Sequence, residues 1–448
     1  MRKLVEVVLV YALWACTAHA QSMPAGDAAK GSKKYDQFER PEVCKSCHGD
    51  FYQQWRQAMM SQAYTHHWDE IEYFDLAVAH AEKVPELKPV ADGCNGCHAP
   101  LAFLAGDVPP PRPAANSRAN ESVSCDFCHT VRGYEGEVPN NFSYISTPGR
   151  TKYGSKPGRT SPHHETQYSK LFSQTEFCAN CHNERNPFGA WVKSTQMEWK
   201  EGPYSKEGVT CMQCHMPKTW GRNATMAEAD TIALHLFHGA HDPGKLASAI
   251  ELRMHPDERE VQLGGTVVIN VQLFSAKPGH KFPTGSVEDR IAWLHVTAVD
   301  AAGKEYHLPV DRKGFPGEEY TIASNELAYQ DMGIPKGDPN FAGVPRDGVP
   351  VGDRIFRMPY FDPQGRMTIM QWNTKSLGVD YRIGPRETKT ETFTWQLPDD
   401  IAVGTVIFKA QLNYQKLVKP VADYLGVPAG ESEIIPINSA STWIEVYE

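Results

Sequence analysis

The chain has no cysteine after Cys214, so its whole C-terminal half can hold neither a disulfide nor a thiolate metal site. Positive charge is also in deficit. Lys and Arg number 45 against 54 Asp and Glu, a formal net charge of −9. That balance argues against nucleic acid as a partner, because phosphate binding needs a basic surface. Long apolar runs are missing beyond the N-terminus, and no later run is long and apolar enough to span a membrane.

What is present begins with "MRKLVEVVLVYALWACTAHAQS": a short basic start, an apolar run interrupted by Glu6, then Ala18-His19-Ala20 as a cleavage site. This reads as an export signal over residues 1–20. Its loss removes Arg2, Lys3 and Glu6, which sum to +1, and takes the mature chain from −9 to −10. The expected location is the periplasm. A rival reading takes "LWAC" as a lipidation site at Cys16, giving an outer-membrane or cell-surface lipoprotein. Trp14 suits that reading poorly, and it is the only route to a membrane.

Of the eleven cysteines, all but Cys16 fall into five copies of one pattern. They are Cys44-Lys-Ser-Cys47-His48, Cys94-Asn-Gly-Cys97-His98, Cys125-Asp-Phe-Cys128-His129, Cys178-Ala-Asn-Cys181-His182 and Cys211-Met-Gln-Cys214-His215. C-x-x-C-H is the attachment pattern of c-type haem. Two thiols bond the porphyrin, and the adjacent histidine is the proximal ligand of the iron. Zinc sites also use C-x-x-C pairs but do not require a histidine after each second cysteine. A disulfide framework gives no reason for five identical spacings. The expectation is five covalently bound haems c, with His48, His98, His129, His182 and His215 on the irons.

The chain divides by pattern. Residues 36–245 read as a pentahaem domain of short helices and long Pro- and Gly-rich loops, such as Gly106–Ser117 and Ser146–His164. Loops of that length count against a compact domain unless something else fills its core, and porphyrins would do so. "DFYQQWRQAMMSQAYTHHW" and "EIEYFDLAVAHAEKV" are the best helix candidates. Residues 250–448 read as an antiparallel β-sandwich of immunoglobulin-like type. Its strands are 266–274, 291–299, 389–397 and 405–414, with Val406, Phe408, Ala410, Leu412 and Tyr414 facing the core. Tyr306 to Gly378 reads as long loops or an insertion. The fold class is thus α+β and multidomain.

Each iron has a second axial position, and its occupant sets the chemistry: histidine gives a low-potential carrier, methionine raises the potential, and an open site admits substrate. Beyond the export signal, twelve histidines lie outside the motifs, and five irons can use at most five. His295 and His307 read as ordinary sandwich residues, and His255 as exposed. The candidates are His80, one of His163 and His164, one or two of His235, His238 and His241, and His280. The last sits in "AKPGHKFPTG", where Pro278 and Pro283 stiffen a loop that Gly279 and Gly285 let approach a flat surface. We read His280 as reaching back to a haem, against the alternative of a turn histidine bonded to backbone.

The phrases "CKSCHGDFYQQWRQAMMSQA", "CNGCHAP", "SVSCDFCH" and "EFCANCHN" resemble the multihaem cytochromes c of the cytochrome c-554 type. "GVTCMQCHMP" adds a fifth site, and the "GHKFPTG" loop is similar to one in the C-terminal β-domain of larger relatives. The resemblance implies a distal histidine four to five residues after the first-helix tryptophan. Here Met60 holds that position after Trp55, as a ligand or as packing on a porphyrin face.

Two functions follow as expectations. The first is electron transfer between other redox proteins: quinol-linked or terminal reductases, or other cytochromes. The second is an oxidoreductase acting on a small nitrogen or sulfur compound at a five-coordinate haem. No C-x-x-C-K variant occurs, so the catalytic site typical of pentahaem nitrite reductases is missing. Full loading of the motifs predicts equal iron and pyridine-haemochrome counts, one for each C-x-x-C-H copy. A lower count would show an unloaded motif.

Overall fold

The structure is a computed structural model and describes residues 29–311, 349–350, 352–365 and 368–448. The export signal, its cleavage site, Cys16 and the middle of the 306–378 stretch lie outside these residues. No helix among the described residues is long and apolar enough to cross a membrane.

From Pro41 to His215 the chain forms short helices. Those used below are α1 (Pro41–Lys45), α2 (Gly49–Gln57), α3 (Lys88–His98), α4 (Cys125–His129), α5 (Thr175–His182), α6 (Thr195–Glu201) and α7 (Cys211–His215). Each of the last four motifs ends its helix at the histidine, whereas His48 caps α2. The two expected helices form differently from their pattern. The first stops at Gln57, where Ala58 turns extended, and resumes as a 3-10 turn at Met59–Gln62. The second runs from His67 to Lys83 through a π-helical stretch, Glu72–Val78. A π turn inserts a residue and re-aims the side chains beyond it.

Four two-stranded ribbons also occur in this half, where alternation is too short to read: β1 (Val131–Tyr134) with β2 (Tyr144–Ser146), β3 (Thr151–Gly154) with β4 (Glu165–Tyr168), β5 (Asn183–Arg185) with β6 (Trp191–Ser194), and β7 (Lys218–Gly221) with β8 (Asp230–Ala233). The β3–β4 pair is parallel and lies across the expected long loop.

Leu101, Phe103, Leu104, Phe127, Phe142 and Tyr144 give this half an apolar cluster of its own. Gly96, in the second motif, is required there: a Cβ would lie 2.4 Å from the Phe142 ring.

The C-terminal half is a two-sheet sandwich. One sheet runs β10 (Glu260–Gln262), β19 (Ile435–Tyr447), β18 (Gly404–Gln415), β12 (Ile291–Val299), β13 (Glu305–His307), with β14 (Arg354–Phe356) also on β12. The other runs β17 (Thr388–Gln396), β11 (Thr266–Ser275), β9 (Ile250–Pro256). Short β15 (Tyr360–Phe361) and β16 (Ser376–Leu377) pair beside them. All pairs in the sandwich are antiparallel except β10 with β19.

The period of 2 in β18 buries Val406, Phe408, Ala410, Leu412 and Tyr414 and turns Ile407 out, 53% exposed. They meet Val267, Ile269, Val271 and Leu273 of β11 and Phe393 of β17 across the core.

The two halves interlock. Trp68 packs with Ile291, Trp293, Leu417 and Val421. Trp372 returns to the cluster around Phe103, and Asn186 donates to the carbonyls of Gln371 and Thr374 at 2.8 and 2.6 Å. Phe408 is fully buried, so Phe408→Ala should cost about 3–5 kcal/mol of stability in denaturant titration. A loss under 1 kcal/mol would mean that the sandwich core rearranges freely.

Candidate redox centres

The histidine of a C-x-x-C-H motif can bind iron only if Nε2 is unprotonated and aimed away from the chain. That is fixed by giving Nδ1 a proton acceptor. Four motif histidines place Nδ1 against a backbone carbonyl: His48 on Asn223, His98 on Ala63 at 2.7 Å, His129 on Tyr153 at 2.7 Å and His215 on His238 at 2.6 Å. Three histidines outside the motifs do the same: His164 on Glu165 at 3.1 Å, His235 on Ala233 at 3.0 Å and His280 on Lys281 at 3.0 Å.

These three rings stand opposite motif rings. His48 and His164 have centroids 6.3 Å apart at 28°, His129 and His235 6.3 Å at 26°, and His215 and His280 6.3 Å at 17°. Two imidazoles on one metal, with bonds of about 2.0–2.1 Å, put their centroids roughly 6.2–6.4 Å apart. The spacing and near-parallel planes therefore fit an iron between each pair. Burial pushes His215 and His235 down to about 4, and lowers His129 and His280, so these imidazoles stay neutral and able to ligate.

No ring stands opposite His98 or His182 in this way among the described residues. His182 is also pushed down to about 4, by burial first and then by the Lys193 charge. His98 opens on a cavity of about 60 Å³ that Glu72, Tyr73, Lys193, Glu288 and Asp289 help to line. Burial raises all three carboxyls, Glu288 to about 7. It works against the Lys193 charge as well, but Glu184 and Glu288 outweigh it and hold the ammonium above its usual range. Lys193 donates to Glu184 at 3.0 Å and to Gln371.

The other candidates sit elsewhere. His163 lies 3.4 Å from Glu39, His238 3.5 Å from Asp242, and His80 accepts from the Trp372 indole at 3.2 Å. His241 lies against His66 and Trp68. Met60 is half-buried in its 3-10 turn, its carbonyl accepting from Val123 at 3.0 Å.

Thiols of different motifs meet. Cys44 neighbours Cys125 within hydrogen-bond reach, as Cys97 does Cys181 and Cys178 does Cys211. Cys178 is also within electrostatic reach of Cys128. Helix packing agrees: α1 lies on α4, and α5 on α7.

The His280 loop is held by α6. Glu198 accepts from the Lys281 backbone at 3.2 Å, from the Thr284 hydroxyl at 2.8 Å and from the Arg382 guanidinium at 2.7 Å. Gly285 has φ +81, and a Cβ there would strike the Arg290 guanidinium at 2.6 Å. Sequence reasoning missed Glu198, Arg382, Asp380 and Lys193, since nothing local marks a charge as buried.

Ten thiols in five C-x-x-C-H motifs, histidines with Nδ1 on backbone carbonyls and matched ring separations fit the donor set of haem c. The chain is a multihaem c-type cytochrome. Residues 43–130 match the model of the cytochrome c554 and c-prime family, and residues 163–250 that of the NapC/NirT cytochrome c family, N-terminal region. A solved penta-haem cytochrome c552 from Thermochromatium tepidum is similar in fold, with a TM-score of 0.63 over 91% of this chain and 99% of that one, at 19% identity. A CARDB domain of a Pyrococcus furiosus protein aligns at a TM-score of 0.18 and 9% identity, over 45% of this chain and 90% of that one, too weakly to carry an argument. No curated protein matches the chain. Haem c is the cofactor expected of this class.

Glu198 and Arg382 are 5% and 3% exposed. Removing one member of a buried pair costs about 3–5 kcal/mol, so Glu198→Ala should lower stability by that order, measured by denaturant unfolding. The pair has an acid limit. Burial opposes the Asp380 charge, but Arg382 and Lys281 overcome it and hold the carboxyl at about 2, below its ordinary 3.8. A depressed carboxyl stabilises fully above its unfolded value and loses that contribution as pH falls through the folded one. An acid titration should therefore show the Asp380 contribution fading between pH 4 and 2, and Asp380→Asn should remove that portion of the slope.

Proposed function

We propose that the chain is a pentahaem electron carrier of the cell envelope, passing electrons between redox partners. Each motif binds one haem c through its two cysteines and its histidine. The haem supplies a one-electron iron couple, and the chain supplies ligands, spacing and exclusion of water. In this reading His164, His235 and His280 are the distal ligands for the irons held by His48, His129 and His215. His80, His163, His238, His241 and Met60 are left to packing and hydrogen bonding.

The observation that carries this is the contact of thiols between motifs. It links the first motif to the third, and the fourth to both the second and the fifth, while the third and fourth are joined by the electrostatic reach of Cys128 to Cys178. Neighbouring attachment points bring haem edges together, which suits transfer from haem to haem. The acidic surface suits a basic partner docking briefly. Other cytochromes, and quinol-linked or terminal reductases, have that role. Export by residues 1–20 would place the chain in the periplasm, and lipidation at Cys16 would tether it to the outer membrane.

A second reading has its own observation. His98 faces the cavity beside Lys193, Glu288 and Asp289, with no imidazole across from it among the described residues. An open iron there would admit a small nitrogen or sulfur compound, and the acids and the lysine are placed to move protons.

Low-temperature electron paramagnetic resonance of the oxidised, haem-loaded protein separates the two. Only low-spin signals, unmoved by nitrite or hydroxylamine, would support the carrier and remove the second reading. A high-spin signal that shifts with either compound would support an open iron at the second or the fourth motif, and its loss in His98→Ala would assign it to the second. In both cases His235→Ala should convert one low-spin signal to high spin; no change would overturn the ligand assignment.

A further inference from the structure

The sandwich carries a set of metal donors outside the cysteine motifs. His295 on β12 and His307 on β13 stack at 5.1 Å and 16°, and both face Asp353, just ahead of β14. His295 Nδ1 lies 3.0 Å from both Asp353 oxygens, and His307 Nε2 lies 2.7 Å from Oδ1. One donor atom from each residue falls within 4.8 Å of the other two. The Asp353 carboxylate is fully buried, while the imidazoles keep 30% and 33% of their side-chain surface.

We propose that His295, His307 and Asp353 bind one divalent transition-metal ion of the zinc class, independently of the haems. Two imidazoles and a carboxylate are a common donor set for such ions. Tetrahedral bonds of about 2.0–2.1 Å separate donors by roughly 3.3 Å; the two His–Asp353 separations are 3.0 and 2.7 Å, and the two imidazole donors lie within 4.8 Å of each other. The exposed side leaves room for water as the fourth donor and for entry of the ion.

The backbone is shaped to bring the carboxylate in. Gly352 has φ +98, and a Cβ there would lie 2.7 Å from Pro309 and 3.6 Å from His307 Cε1. Its carbonyl accepts from Val310 at 3.0 Å. A residue with a side chain could not hold Asp353 so close to β13. Glu305 adds negative charge near His295, and Lys409 opposes it. An ion bound by the folded site alone would stabilise the protein by mass action.

The test uses the full-length, haem-loaded protein, stripped with a chelator and dialysed against zinc chloride. Zinc and iron are counted by plasma emission. The wild type should hold one more zinc than His295→Gln/His307→Gln and than Asp353→Asn, and its melting temperature should rise with zinc where theirs does not. The single variant His307→Asn, at the exposed strand, should bind at least tenfold more weakly while its Soret spectrum stays unchanged, which guards against a folding defect. Zinc-edge absorption should show two imidazole ligands. Equal zinc in wild type and double variant would overturn the proposal. So would loss of the ion on His67→Gln, which belongs to the separate His66, His67, Glu431 group, with retention in His295→Gln.

Discussion

A neutral imidazole offers one lone pair, and the direction of that pair is decided at the other end of the ring. The repeated bond from Nδ1 to a backbone carbonyl is the constraint on which the N-terminal half depends. It commits seven histidines to one tautomer before any metal arrives. The carbonyls come from loops and ribbon edges, where backbone groups are not used up in secondary structure. A half built from short helices and two-stranded ribbons has such groups in supply, and this is a physical reason for its irregularity.

The same logic joins the two halves. His280 belongs to the sandwich but faces His215 of the last motif. Its loop is fixed by Glu198, a carboxylate of the N-terminal half, through backbone, hydroxyl and guanidinium donors. A buried charge satisfied from three directions tolerates little displacement, so the interface behaves as one body with the ring pair it carries. The apolar contacts of Trp68 and Trp372 add area, while the Glu198 group sets position.

Much of this was legible in the sequence, and the limits have physical causes. C-x-x-C-H is local and fixes its chemistry at a spacing of five residues. The long strands β11, β12, β17 and β18 repeat a period of 2 often enough to be read, and the core face of β18 follows. Strands of three or four residues, including the parallel β3–β4 pair, carry too little pattern and lie among Pro- and Gly-rich loops. The choice between His163 and His164 turns on which neighbour's side chain points inward, and adjacent residues share every sequence signal. Glu198 with Arg382, and His295 with Asp353, pair across long stretches of chain, where a single sequence holds no trace of the contact.

Each facing imidazole comes from later in the chain than its motif partner: His164 after His48, His235 after His129, His280 after His215. If each pair holds an iron as proposed, every such centre is begun by one segment and finished by a later one. On the proposed assignment, a porphyrin held by the first motif would keep an open metal face until the ribbon carrying His164 has folded against it. The last pair would be completed last, because its second ring belongs to the sandwich. On that assignment, folding of the C-terminal half would be the closing step for a cofactor site begun outside it.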